Sequence, residues 1–263
     1  MSQSYKNYEV IIVDNNSKDN TKTIVKNIKD KKIRYVFEKN KGRAAVRNKG
    51  ISLAKGSIIA MIDCDCVPPK SWLKELSAPI IKDNEKIVMG FEKNVEKGYW
   101  AKRLQEEENR FIKKNIHGKY ISHLSTQNFA VKTSFIRKFM FDSRFVTADD
   151  LELYLRIKNY AKVRFLENCI VEMHHLNTFR KVFTKNFESS YWTKMAFIKN
   201  REIKKEDNLS IVETKSAVKV IYSILKRLAK IIRNPSDSFF IISTGFVWNL
   251  GTLAAIIHQR YRK

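Results

Sequence analysis

Gly56-Ser57-Ile58-Ile59-Ala60-Met61-Ile62-Asp63-Cys64-Asp65 is an apolar run of strand length that ends in two carboxylates. A short, nearly continuous apolar segment suits a strand covered on both faces. In open α/β sheets the carboxyl ends of such strands are where ligands bind. An extended chain past Ile62 alternates its side chains, pointing Asp63 and Asp65 one way and Cys64 and Cys66 the other. Two oxygen ligands on one face suit a hard divalent cation, Mg²⁺ or Mn²⁺, which is commonly held by one or two carboxylates together with substrate phosphates. The implied ligand is a nucleotide diphosphate. The structural alternative is a polar turn closing a buried strand.

Upstream, Glu9-Val10-Ile11-Ile12-Val13 is a second apolar run, closed by the polar cluster Asp14 to Thr21. A helix is expected over Thr21 to Ile28, a strand over Ile33 to Phe37 and a helix over Arg43 to Ala54. Strand, helix, strand, helix, strand is the order of parallel pairing with helical crossovers. Downstream, helices are expected over Trp72 to Ile81, Tyr99 to Asn115 and Asp150 to Tyr160, and extended segments over Lys86 to Phe91, Ser122 to Val131, Lys162 to Leu166 and Ile170 to Met173. The charge run Gln105 to Arg110 is most simply a solvated helix face.

The last sixty or so residues change character. Ser216 to Arg233 sets Val220, Ile224, Leu228 and Ile231 against Lys219, Lys226, Arg227 and Lys230, a basic amphipathic helix suited to an anionic membrane surface. Ser238 to Ile257 contains no charged residue, and about 20 helical residues span a bilayer core. The alternative is a buried or interfacial helical hairpin.

With 263 residues, 43% of them hydrophobic, the chain can bury a real core. A formal net charge of +24 favours anionic partners. The basic residues are scattered, with no nucleic-acid module, so nucleic acid is not expected as a partner. Cys64, Cys66 and Cys169 form neither a disulfide framework nor a zinc-ligand pattern and fit a reducing compartment.

Four segments in order resemble the family 2 glycosyltransferases. Val13 to Asp19 looks like that family's first signature, and Asn40 to Asn48 looks like its second. Asp63-Cys64-Asp65-Cys66-Val67-Pro68 looks like its metal-binding aspartates, and Phe141-Asp142 with Asp149-Asp150-Leu151-Glu152-Leu153 and Arg156 looks like its acidic catalytic segment. The resemblance implies a GT-A fold, a Rossmann-like, mixed and mainly parallel sheet, with a C-terminal helical membrane-associated region. It implies an inverting transfer from a UDP- or GDP-sugar, with Mg²⁺ or Mn²⁺, to a lipid-linked, polysaccharide or protein-linked glycan acceptor. A Gln-x-x-Arg-Trp motif of processive members is missing, so a non-processive, hexosyltransferase-type enzyme is expected. A nucleotidyltransferase of related fold and an impaired transferase-like membrane protein are the rivals.

By the same resemblance Asp14, Arg47 and Asp63 bind the nucleotide, Asp65 and Asp63 with His174 hold the metal, and Asp150, with Asp149 as alternate, is the general base. Each has a structural rival. Asp14 could shape a turn, Arg47 could be a surface helix residue, and Thr147 with Asp150 fits a helix capping box. The histidine register is ambiguous between Met173 and His174, with His175 next to it.

Residues 1–200 are expected to form the catalytic domain and 214–263 a membrane anchor on the cytoplasmic face of the cell membrane. Met1 to Tyr8 resembles the end of the family's first helix, so its first strand is expected to be missing here, leaving open strand edges and impaired activity unless the reading frame is longer.

Overall fold

The computed structural model describes residues 3–174, 178–205 and 238–261. They fall into two compact units, one of Met1–Glu96 with Leu104–His175 and one of Lys97–Arg103 with Leu176–Lys263. The first unit opens with β1 (Val10–Asp14), α1 (Thr21–Asn27) and β2 (Ile33–Phe37), and the two strands pair in parallel as the crossover requires. After α2 (Arg43–Leu53), β3 (Ile58–Ile62) enters a different, larger sheet. The remaining strands are β4 (Cys66–Val67), β5 (Ile87–Asn94), β6 (Ile116–His117), β7 (Tyr120–Ile121), β8 (Asn128–Lys132) and β9 (Val163–Met173). The helices between them are α3 (Trp72–Lys82), α4 (Tyr99–Asn115), α5 (Thr133–Phe139) and α6 (Asp149–Ile157).

The larger sheet runs β3-β8-β5-β9-β7-β6, with β4 on β9. It is mixed, as expected, but its ladders are not mainly parallel. β5 and β9 pair in parallel, whereas β8 is antiparallel to both β3 and β5, and β4 and β7 are antiparallel to β9. The reason is an insertion. β3, β5 and β9 share one direction, the direction helical crossovers produce, and β8 runs back between β3 and β5. β1 and β2 pair only with each other and β3 pairs only with β8, so among the described residues β1, β2 and β3 each keep one open edge.

The central strands are buried on both faces. Ile87, Met89, Phe129 and Val131 face α2, α5 and α6, contributing with Ile51, Ile136 and Leu153 to one core. Val88 and Ala130 face the other way, onto Trp72, Leu76 and Ile80 of α3. The two segments expected over 162–173 are one strand, bulged where the β5–β9 register shifts between Gly90 and Phe91. The fully buried Asn128 carboxamide fills that bulge, donating to the carbonyls of Phe91 (3.1 Å) and Cys169 (2.8 Å) and accepting from Trp72 Nε1 (2.8 Å). A Cβ at position 90 would collide with this carboxamide, which is why a glycine stands there.

In the second unit, α7 (Phe179–Lys205) packs along α8 (Ser238–Tyr261). The apolar run from Ser238 is helical as expected. The amphipathic helix expected over 216–233 lies outside the described residues.

Candidate active site

The guanidinium of Arg47 joins three segments that are far apart in sequence. It donates from Nη1 to Asp149 Oδ2 at 2.5 Å, lies 3.4 Å from Asp63 Oδ1 through Nη2, and stands over the Phe141 ring at 5.6 Å. Its side chain is 11% exposed, so it is no surface helix residue. Arg47 projects from α2, Asp63 directly follows β3 and Asp149 opens α6, so a strand end and a helix start converge on this arginine. Burial pushes the Asp149 carboxyl up and Arg47 pulls it down, and the balance leaves it above the ordinary aspartate value.

Asp150 is arranged differently. Its Oδ1 accepts from the Leu151 backbone N–H at 2.7 Å, and burial raises its carboxyl. The capping box with Thr147 is not formed: the N-cap is Ala148, held at φ 55° in the left-handed region, and no side chain caps the helix. A β-carbon residue there is strained, and the strain sits directly before the acidic pair. Asp149 and Asp150 lie in the first turn of α6, where the helix dipole favours negative charge. Asp149 is committed to Arg47. Glu152 is committed too, its two oxygens taking Arg156 Nε and Nη2 at 2.7 and 2.8 Å. Of the three acids, Asp150 is the one with no arginine hydrogen-bonded to it among the described residues, although Arg47 and Arg43 lower its carboxyl from a distance.

Asp14 ends β1 with both oxygens engaged, Oδ1 by the Ser17 N–H at 2.8 Å and Oδ2 by the Tyr35 hydroxyl at 2.6 Å. These bonds hold its carboxyl below the ordinary range and push the Tyr35 phenol up to about 12. Asp14 therefore shapes the turn after β1, as its structural rival has it. Next to it, Asn15 donates to the carbonyls of Glu38 and Asn40 and accepts from the Gly42 N–H, tying the first signature to the loop before α2. Asn48 makes a two-way bond with the Phe141 backbone, 2.8 Å in each direction. Neither asparagine was singled out from sequence, although both lie inside the quoted signatures.

The alternation expected through Asp63-Cys64-Asp65-Cys66 is broken by a turn closed by Cys66 N–H to the Asp63 carbonyl at 3.1 Å. Cys64 and Asp65 are exposed and Cys66 is buried, so the four residues do not form one extended face pair. β4 then pairs Cys66 with Met173 of β9, which sets Asp65 and His174 at the next register position. Met173 is a core residue, 4% exposed, and His174 is exposed with Nδ1 2.7 Å from Glu96 Oε1. Met173 thus belongs to the core and His174 to the surface, while His175 lies outside the described residues. Among the described residues no cluster of three or more His, Cys, Asp or Glu could hold a metal by itself. Asp65 and His174, with Asp63 nearby in sequence, fit an ion that takes its remaining ligands from a diphosphate.

A family model for "Glycosyl transferase family 2" matches residues 1–145, a stretch that contains Asp14, Arg47, Asp63 and Asp65. The chain belongs to glycosyltransferase family 2. An uncharacterized glycosyltransferase of Methanocaldococcus jannaschii is 27% identical over 215 residues, 76% of this chain and 72% of that protein. Glycosyltransferase AglE of Haloferax volcanii is 26% identical over 197 residues, covering 71% and 63%. The chondroitin synthase of Pasteurella multocida is 35% identical over 92 residues, which are 34% of this chain and 10% of that synthase. This chain therefore spans a small part of the synthases it matches. S. aureus TarS 1–349, solved in complex with UDP-GlcNAc, superposes with a TM-score of 0.57 at 16% identity over 75% of this chain and 60% of that one. That likeness establishes the GT-A type of fold.

The chain also buries acids that its sequence did not advertise. Glu92 of β5 is 2% exposed, accepts from the Ser125 hydroxyl at 2.7 Å and hydrogen-bonds the carboxyl of Glu108 on α4. The Gln105 to Arg110 run is thus only partly a solvated face: Gln105 and Glu108 turn inward, while Glu106 and Glu107 pair with Arg110. Burial and then Glu108 raise Glu92 well above the ordinary glutamate value, and burial lowers the neighbouring His123 imidazole to about 4. A carboxyl raised in the native state binds more protons than in the unfolded state, so stability falls as pH rises from the unfolded value of about 4.3 towards the native one. Glu92→Gln keeps an acceptor for Ser125 and removes this linkage. Melting temperatures taken from pH 5 to 8 are expected to fall less steeply with pH for the variant than for the wild type, and parallel curves would show that Glu92 is ionised in the native state.

Proposed function

We propose that this chain transfers one sugar from a UDP- or GDP-linked donor to a hydroxyl of a lipid-linked, polysaccharide or protein-linked glycan acceptor, with inversion, at the cytoplasmic face of the cell membrane. The observation that carries the reading is the single buried guanidinium of Arg47 joining Asp63 to Asp149. It brings the strand-end Asp63 and the acidic segment to one point, so donor-side and acceptor-side chemistry share a site.

Asp150 takes the proton from the acceptor hydroxyl as that oxygen bonds the anomeric carbon. The bond from that carbon to the diphosphate breaks on the opposite face, which is the inversion. Arg47 offers positive charge beside Asp63 as negative charge builds on the departing nucleoside diphosphate. A bound Mg²⁺ or Mn²⁺, held by Asp65, Asp63 and His174, would supply further neutralisation of the diphosphate. Asp14, by ordering the turn after β1, shapes the nucleotide side. TarS binds UDP-GlcNAc, which favours a UDP-linked donor. The apolar helix Phe239–His258 and the net charge of +24 favour membrane association.

The test is turnover of UDP- and GDP-sugars by the purified chain with a glycan acceptor, with Mn²⁺ and after chelation. Release of nucleoside diphosphate, at least tenfold lower in EDTA and restored by Mn²⁺, with an inverted anomer by NMR, is expected. Pyrophosphate as the product would instead select nucleotidyl transfer. Absence of metal-dependent nucleotide binding would select a non-catalytic membrane protein.

A further inference from the structure

The two faces of α8 differ sharply. One is packed on α7: Val247 and Ala255 are buried, a Cβ at Gly251 between them would collide with the Ser190 hydroxyl and the Phe187 carbonyl oxygen, and Tyr191 hydrogen-bonds His258. The other face carries Phe239, Ile242, Phe246, Leu250, Leu253 and Ile257, all exposed, at spacings of three and four residues. At about 100° per residue these six side chains form one stripe along the helix. Phe179 of α7 stacks on Phe239 at 5.8 Å and continues through Phe183, so a row of α7 phenylalanines adjoins the stripe. Contiguous apolar surface of this extent marks an interaction site.

Resting on the membrane association proposed above, we infer that this stripe docks tangentially on an anionic lipid bilayer, the helix pair lying in the interface instead of crossing it. Length does not forbid crossing, since the 20 residues Phe239–His258 reach about 30 Å. The partner helix does. Gly251, near the middle of α8, contacts Phe187 to Tyr191 of α7, so Lys185, Glu188 and Lys194 lie within about two turns of that level. An α8 centred in the hydrocarbon would drag these charges in with it, which is strongly unfavourable. A tangential pose immerses the stripe and leaves the charges of α7 in the wet headgroup layer. A lipid surface is favoured over a second copy of the chain because a net charge of +24 repels its like and attracts anionic headgroups.

The experiment is flotation of the full chain with sealed vesicles of phosphatidylcholine, with and without phosphatidylglycerol, using a C-terminal tag that external protease can remove. The wild type is expected to float at least tenfold better with the anionic vesicles and to keep its tag cleavable from outside. Phe246→Glu with Leu253→Glu is expected to lose flotation tenfold or more while its circular dichroism and its donor turnover in detergent stay unchanged. The milder Phe246→Ser with Leu253→Ser guards against a folding defect and is expected to fall between. A protected tag overturns the tangential pose but keeps membrane association. Unchanged flotation of both variants overturns the stripe. A wild-type dimer that these variants dissociate, without vesicle binding, assigns the stripe to a second copy. No flotation of the wild type removes membrane association itself, and donor turnover in detergent reports separately on the transferase reading.

Discussion

Arg47→Ala is expected to abolish donor turnover and to lower folding stability by about 3–5 kcal/mol, the usual consequence of leaving one partner of a buried ion pair alone. Asp149 has a side chain 2% exposed and receives 2.5 Å contact from Arg47. Without that cation, burial is opposed only by a backbone hydrogen bond, so Asp149 takes up a proton or forces the start of α6 to open. Asp63, 30% exposed, loses only a longer contact and suffers less. Arg47→Lys separates charge from geometry. One ammonium cannot reach two carboxylates from different segments and also stack on Phe141, so stability is expected to recover in part and turnover is not. Urea unfolding and titration of nucleotide binding measure the two effects separately. A folded Arg47→Ala protein that binds nucleotide with wild-type affinity would disprove the bridging role.

The sequence made the local elements legible where periodicity and punctuation agree. The strand at Ile33–Phe37 and the helix at Tyr99–Asn115 have the expected bounds, because polar turns flank each. Pair directions were less accessible. β8 follows a small hairpin and is inserted between β3 and β5, and nothing in its own five residues encodes that it runs backwards. The turn at Asp63 to Cys66 was missed for a related reason: alternation presumes an extended chain, and β4 is pinned instead by pairing with β9. α7 carried no reading either, since its apolar and charged residues do not separate into clear faces.

Within the site, residue type and position pointed to Asp63 and the family resemblance to Asp149 and Arg47, but only three-dimensional proximity shows that one side chain ties them together. The asparagines at 15, 48 and 128 were out of reach for a different reason. Their work is to satisfy backbone groups of distant segments, and that demand is invisible until those segments meet. Glu92 follows the same rule: a single glutamate at the end of a strand does not announce a carboxyl partner on another helix.

Asp150→Asn is expected to lower turnover by about 10²–10⁴-fold, the range for loss of a general base, with nucleotide binding unchanged. The fold should tolerate it. The asparagine side-chain oxygen can still accept the Leu151 N–H, and because burial penalises the charged form of Asp150, the neutral variant loses no favourable charge energy. The pH dependence gives an independent sign. A base must be ionised to act, and Asp150 is raised above the ordinary aspartate value, so wild-type turnover should fall with falling pH through that raised value, above the usual range near 3.9. Stability has the opposite slope over that window, since the native state binds more protons than the unfolded one and so weakens as pH rises. Asp150→Asn removes the contribution of this carboxyl to both slopes, while Asp149 and Glu92 keep theirs to the stability slope. Asp149→Asn separates the two acids: it keeps an oxygen for Arg47 to bond while cancelling the charge of a group already committed to that arginine, so a smaller loss of turnover is expected. Reversed magnitudes, with Asp149→Asn inactive and Asp150→Asn nearly normal, would move the base to Asp149 and leave Asp150 as an acid that serves the start of α6.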